Sequence, residues 1–186
     1  MKALWIASSL LIAATVVLAA DAPMPPKVGD AAPDFSLPYA TQDSIAGDDL
    51  KLSAIVGKRN IILAFYPADW SGGCTREVCT MRDNFTQLGA LDADVVGISG
   101  DYMFSHFEWA KFHHLPFRLA SDHKHVVATQ YASYNEPSGY NRRTVFVVDK
   151  LGKIAYEDMT YSTRDSVSFT KLQAALKTMA AMASKH

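Results

Sequence analysis

Residues 65–79 read Phe-Tyr-Pro-Ala-Asp-Trp-Ser-Gly-Gly-Cys-Thr-Arg-Glu-Val-Cys, and this stretch joins two regular elements. Upstream, Asn60–Tyr66 is a continuous apolar run rich in β-forming residues, the pattern of a strand buried on both faces. Pro67 lacks an N–H and ends the ladder. Downstream, Val78, Met81, Phe85 and Leu88 recur at three- and four-residue spacing, which predicts an amphipathic helix over about residues 74–90. Ser71-Gly72-Gly73 leads into that helix and places Cys74 in its first turn. There, unpaired N–H groups and the positive end of the helix dipole favour a thiolate over a thiol. Inert buried cysteines sit within apolar runs, whereas Cys74 is flanked by Gly72, Gly73, Thr75 and Arg76.

Cys79 follows five residues later. In an intact α-helix, residues five apart have Cα atoms about 8.7 Å apart, and a disulfide needs about 6.8 Å or less. A Cys74–Cys79 bridge therefore requires the first turns to unwind. The pair suits a cycle in which one sulfur is oxidised and the other arrives after local unfolding, better than it suits a static staple.

Outward from this segment, Asp94–Ile98 and Thr144–Val148 repeat the buried-strand pattern, with Phe117–Ala120 a shorter candidate. Asp149–Gly152 reads as a turn, and Ile154–Thr160 as a returning strand. Phe104, Phe107, Ala110 and Lys111 suggest a second helix stopped by Pro116. A third helix is expected over His123–Tyr131, and a last one around Phe169, Leu172, Leu176 and Met179. The fold class is α/β, with a mixed central sheet covered by helices on both faces.

The 186 residues are 49% hydrophobic, enough for a real core in one domain, so wholesale disorder is excluded. A formal net charge of −1 offers no nucleic-acid footprint. Two cysteines exclude a disulfide-dense scaffold and a four-cysteine zinc site. Met1-Lys2, the apolar run Ala3–Ala20 and the small residues ending at Ala19 have the layout of a secretory signal. The expected division is a signal peptide over residues 1–19, a flexible, proline-rich lead-in over 20–27 and one domain over 28–186. The alternative for the apolar run is a membrane anchor at the short edge of what spans a bilayer. Cleavage would give an exported protein, periplasmic or secreted, with no stable membrane association.

These residues resemble the peroxiredoxins, thiol-dependent peroxidases with a thioredoxin-like fold. Their signature of Pro, three residues, Thr or Ser, two residues and Cys is here Pro67, Ser71 and Cys74. Their arginine ahead of a strand, as Arg-x-x-Phe, is here Arg143 with Phe146. The resemblance opens at Val28-Gly29-Asp30 and includes Gly97-Ile98-Ser99 and Ser121-Asp122. A second cysteine five positions after the first is similar to the bacterioferritin-comigratory, or PrxQ-type, branch.

The resemblance implies a mechanism. Cys74 thiolate attacks hydrogen peroxide or an organic hydroperoxide. Ser71, Arg143 and the N–H groups of Gly73 and Cys74 meet the charge on the departing oxygen, and Pro67 shapes and dries the pocket. Glu77 would orient Arg143. The Cys74 sulfenic acid condenses with Cys79, and a thioredoxin-like dithiol partner restores both thiols. No metal, flavin or haem is implied, and the expected quaternary state is a monomer or weak homodimer.

Arg142 adjoins Arg143, but strand alternation should point the two oppositely. Gly72-Gly73 reads as a pliant approach to Cys74. The His113-His114 pair and the His123/His125 cluster read as solvated surface rather than a metal site, and Trp70 and Trp109 as packing residues, with Trp70 at the pocket mouth. Asn84-Phe85-Thr86 matches a glycosylation acceptor inside a predicted helix. Two other readings belong to the same fold: a disulfide reductase, which would carry Cys-x-x-Cys, and a copper carrier similar to the Sco proteins, which would carry Cys-x-x-x-Cys and a distant His. A third treats the cysteines as a staple in a binding protein.

Overall fold

Every residue of Asn60–Phe65 is buried, and alternate side chains serve opposite faces of one sheet. Ile62 and Ala64 join one core with Val78, Met81, Trp109, Leu172 and Leu176, while Ile61, Leu63 and Phe65 join another with Leu52, Val127, Tyr131 and Phe146. The computed structural model describes residues 24–183, so the expected signal peptide lies outside the described residues.

In chain order the elements are β1 (Ser36–Leu37), β2 (Tyr39–Ala40), β3 (Leu50–Lys51), α1 (Leu52–Ile55), β4 (Asn60–Phe65), α2 (Gly72–Asp83), α3 (Phe85–Ala90), β5 (Ala93–Ser99), α4 (Met103–His113), β6 (Arg118–Ser121), α5 (Val126–Gln130), β7 (Tyr134–Asn135), β8 (Tyr140–Asn141), β9 (Thr144–Val148), β10 (Ile154–Asp158) and α6 (Val167–Ala183). The main sheet has the order β10-β9-β4-β5-β6-β2. β4, β5 and β6 run parallel, and β9, β10 and β2 pair antiparallel. α2, α4 and α6 cover one face, and α1 and α5 the other. The mixed sheet with helices on both faces is therefore the architecture expected from the sequence.

Three details differ from the sequence reading. The single helix expected over residues 74–90 is broken at Asn84, where φ is −106° and ψ 10°. The Asn84 side-chain amide donates to the Thr80 carbonyl at 2.8 Å, so it competes with the helical ladder at that point. The buried side of α4 is His106, Trp109 and Ala110, while Phe104 is 66% exposed. In the lead-in, Pro26 is buried and Lys27 pairs with Glu157 at 3.4 Å.

Candidate active site

Cys74 lies where the C-terminal end of β4 turns into α2. β4 ends one residue before Tyr66, whose N–H still donates to Ile98 O at 3.1 Å, and Pro67 then takes the chain out of the sheet. Ser71 is the N-cap of α2, and its hydroxyl accepts from the Cys74 N–H at 3.4 Å. This contact satisfies one of the orphan donors of the first turn. It also partly commits the Cys74 N–H that the sequence reading offered to a departing oxygen. Cys74 itself is 0% exposed and both cysteines are free thiols.

Arg143 arrives from the residue before β9. Its neighbour Arg142 is exposed, as strand alternation requires. The Arg143 guanidinium lies against Gly73, interacts electrostatically with the neighbouring Cys74, and donates to Glu77 Oε2 at 2.7 Å. Burial alone would lower its proton affinity, but Glu77 and the Cys74 sulfur reverse this and hold it above its ordinary value. The cation is held beside Cys74.

Glu77, one turn along the same helix, is 1% exposed. Burial pushes its carboxyl up to about 7, against the opposing pull of Arg143. Its second oxygen, Oε1, is buried with no hydrogen-bond partner. One carboxylate oxygen thus fixes the guanidinium, which is the orienting role expected of it.

Gly73 has a different role from the pliancy read into it. A Cβ at this position would lie 2.6 Å from Arg143 Nη2, whereas a Cβ at Gly72 would meet nothing within 4 Å. Gly73 makes room for the guanidinium. Gly73→Ala should therefore displace Arg143 and slow the first peroxide turnover about tenfold or more, with Gly72→Ala near wild type. Stopped-flow oxidation of the two reduced variants would check this.

Beneath the loop lies a polar network not found by the sequence reading. Tyr66 Oη donates to Asp69 Oδ1 at 2.9 Å, Ser105 Oγ donates to Asp69 Oδ2 at 2.8 Å, and His106 Nδ1 lies 2.9 Å from the same oxygen. The Asp69 N–H donates to Asp101 Oδ2 at 2.8 Å. Burial and Asp69 push the Tyr66 hydroxyl well up, so it remains a donor. These bonds hold residues 66–71 from below, including Trp70 in the left-handed region at φ 59°. Trp70 is 53% exposed and its indole N–H donates to Ser105 Oγ at 3.2 Å. The signal for this network was a histidine, His106, on the same helical face as Trp109.

Cys79 is half-buried. A cleft of about 390 Å³ between α2 and residues 161–169 borders it and Glu77. His113, read as solvated surface, instead places Nδ1 3.9 Å from the Cys79 sulfur. His123 stacks on Tyr102 with ring centroids 4.0 Å apart, and His125 stacks on Tyr134 at 4.4 Å with Nδ1 2.9 Å from Asn141 Oδ1. Among the described residues, no three His, Cys, Asp or Glu side chains group as a metal site.

Residues 28–157 match the model of the AhpC/TSA family. The chain is 35% identical over 151 residues to Peroxiredoxin Bcp of Escherichia coli strain K12, covering 77% of this chain and 93% of that one. It is 32% identical over 148 residues to Peroxiredoxin Bcp of Bacillus subtilis strain 168, covering 76% and 90%. The crystal structure of Peroxidoxin BcpB from Mycobacterium tuberculosis superposes with a TM-score of 0.73 at 30% identity, covering 82% of this chain and 97% of that one. The sheet and its helices are thus a thioredoxin-like fold. This chain belongs to the AhpC/TSA family and, within it, to the peroxiredoxins of the Bcp and PrxQ branch.

Proposed function

We propose that the protein is a thiol peroxidase in which Cys74 reduces hydrogen peroxide and organic hydroperoxides and Cys79 resolves the product. One observation carries the assignment of roles: Cys74 sits at a Ser71-capped helix start beside a guanidinium that Glu77 fixes.

The thiolate attacks one peroxide oxygen, a sulfur–oxygen bond forms and the O–O bond breaks. Sulfur is oxidised by two electrons. The departing oxygen leaves as hydroxide or alkoxide and takes a proton as water or alcohol. Arg143, the Gly73 N–H and the Ser71 hydroxyl proton meet its developing charge without reorganising. Pro67, half-buried at the end of β4, forms part of the wall. The Cys79 thiol then displaces hydroxide from the Cys74 sulfenic acid, giving a disulfide and water. α2 runs unbroken from Gly72 to Asp83, so its first turns must unwind for the sulfurs to meet. A thioredoxin-like dithiol reduces the bridge by exchange, and the cleft beside Cys79 gives it an approach to that sulfur. The charged start and apolar run of residues 1–20 support export, with a donor resident in that compartment and no membrane attachment after cleavage. A monomer or weak homodimer suffices, because both sulfurs lie on one helix. The cysteine spacing disfavours the disulfide-reductase and copper-carrier readings.

The test is mass spectrometry of the reduced protein before and after peroxide, without added reductant. About one peroxide per chain should be consumed, with loss of both thiols as a Cys74–Cys79 bridge. Cys79→Ser should keep the first turnover and retain a sulfenic acid that dimedone labels. A wild-type protein that consumes no peroxide would end this reading.

A further inference from the structure

We propose that His113 is the base that takes the proton from Cys79 when this thiol attacks the Cys74 sulfenic acid. The inference rests on the peroxidase reading above and adds a residue to its second step.

The resolving thiol needs help. Cys79 is half-buried against the main core. Burial pushes its proton affinity up, with Arg82 pulling it down and Asp83 adding to the rise. At neutral pH it is a thiol, and a thiol is a poor nucleophile. The basic nitrogen that faces it is His113 Nδ1, 3.9 Å from Sγ. That separation is at the long end for sulfur, as resting catalytic contacts often are.

His113 is built to stay neutral and in place. It is the last residue of α4, and its carbonyl accepts from Arg82 Nη1 at 2.7 Å. Its ring packs against aromatic rings, with centroids 4.9 Å from Phe112, 5.9 Å from Trp109 and 6.4 Å from Trp70. Burial, then Arg82 and His114, lower its proton affinity. Arg82 and Asp83 on α2 and His114 beyond α4 are the titratable or charged groups acting on the pair. A neutral imidazole can accept a proton where an imidazolium cannot.

The balance is complete within the chain. Cys79 S–H gives its proton to His113 Nδ1, its sulfur bonds to the Cys74 sulfur, and the S–O bond breaks. The hydroxide leaves as water with the proton returned from His113. No external oxidant or base enters.

The experiment is a single peroxide pulse on the reduced protein, followed by dimedone trapping at increasing delays, from pH 6 to pH 9. His113→Gln should oxidise Cys74 at the wild-type rate but keep its sulfenic acid about a hundredfold longer at neutral pH. The gap should narrow as pH rises and Cys79 ionises unaided. His113→Phe keeps a ring in the aromatic cluster and must show the same delay, and it decides the matter if the Gln variant disturbs folding. Disulfide formation by His113→Phe at the wild-type rate overturns the proposal. So does faster formation, which would make His113 a tether rather than a base. Failure of the peroxidase reading looks different, because the wild-type protein would then consume no peroxide.

Discussion

Cys74→Ser will reduce peroxide consumption to the uncatalysed background while leaving a folded protein. A serine hydroxyl is not ionised near neutral pH and cannot be carried through the sulfenic acid state. The site tolerates the exchange sterically, because oxygen is smaller than sulfur. A buried hydroxyl without a partner costs about 1–3 kcal/mol, but here the Arg143 guanidinium stands beside this position as a donor. Thermal unfolding should therefore fall by only a few degrees. Full peroxide turnover by this variant would remove the basis for every role assigned above.

Arg143→Met will have the second-largest effect, and it will be double. Loss of the preorganised donor should slow the first turnover by about 10²–10³. It also strands Glu77, which is buried with one oxygen already unpartnered. A buried carboxylate deprived of its cation costs about 3–5 kcal/mol when ionised. The pH dependence has a definite sign. Glu77 is held up to about 7 in the folded chain against an ordinary 4.5, so its neutral form is the one that folding favours. Its contribution to stability is fully present below the unfolded value and is lost as pH rises through about 7. Without Arg143 the carboxyl moves higher still, so denaturant midpoints of Arg143→Met should fall more steeply between pH 5 and pH 8 than those of the wild type. Adding Glu77→Gln to Arg143→Met should restore the stability and not the activity. A pH-independent midpoint in Arg143→Met would contradict the pairing.

The central strands were readable because burial on both faces leaves no polar interruption: Asn60–Phe65 and Thr144–Val148 are buried throughout. The candidate site was readable because Pro67, Ser71 and Cys74, and Arg143 with Phe146, carry the family's spacings, and the structure brings Ser71, Cys74 and Arg143 together at the start of α2. The break at Asn84 was not readable. The apolar spacing from Val78 to Leu88 continues through it, and only the amide reaching back to Thr80 marks it. The buried side of α4 was misread because hydropathy scores His106 as polar. Asp69 and Ala120 supply partners that make its burial tolerable. The two-residue strands β1, β2, β3, β7 and β8 are too short for any periodicity to register. His113 reads as solvated surface from the sequence because its meaning depends on Cys79, which lies on a different helix.

The glycine-rich first turn of α2 has a consequence for survival under oxidant. While the helix is wound, a freshly formed sulfenic acid waits with its partner out of reach, and a second peroxide molecule can oxidise it to sulfinic acid, a dead end. Each peroxide concentration thus sets a race between fraying of a few helical residues and a second hit. Glycines at 72 and 73 weaken that turn, so the segment that makes the sulfur reactive also limits how long it stays vulnerable. Cooling or helix-promoting cosolvents would tilt the race toward permanent inactivation.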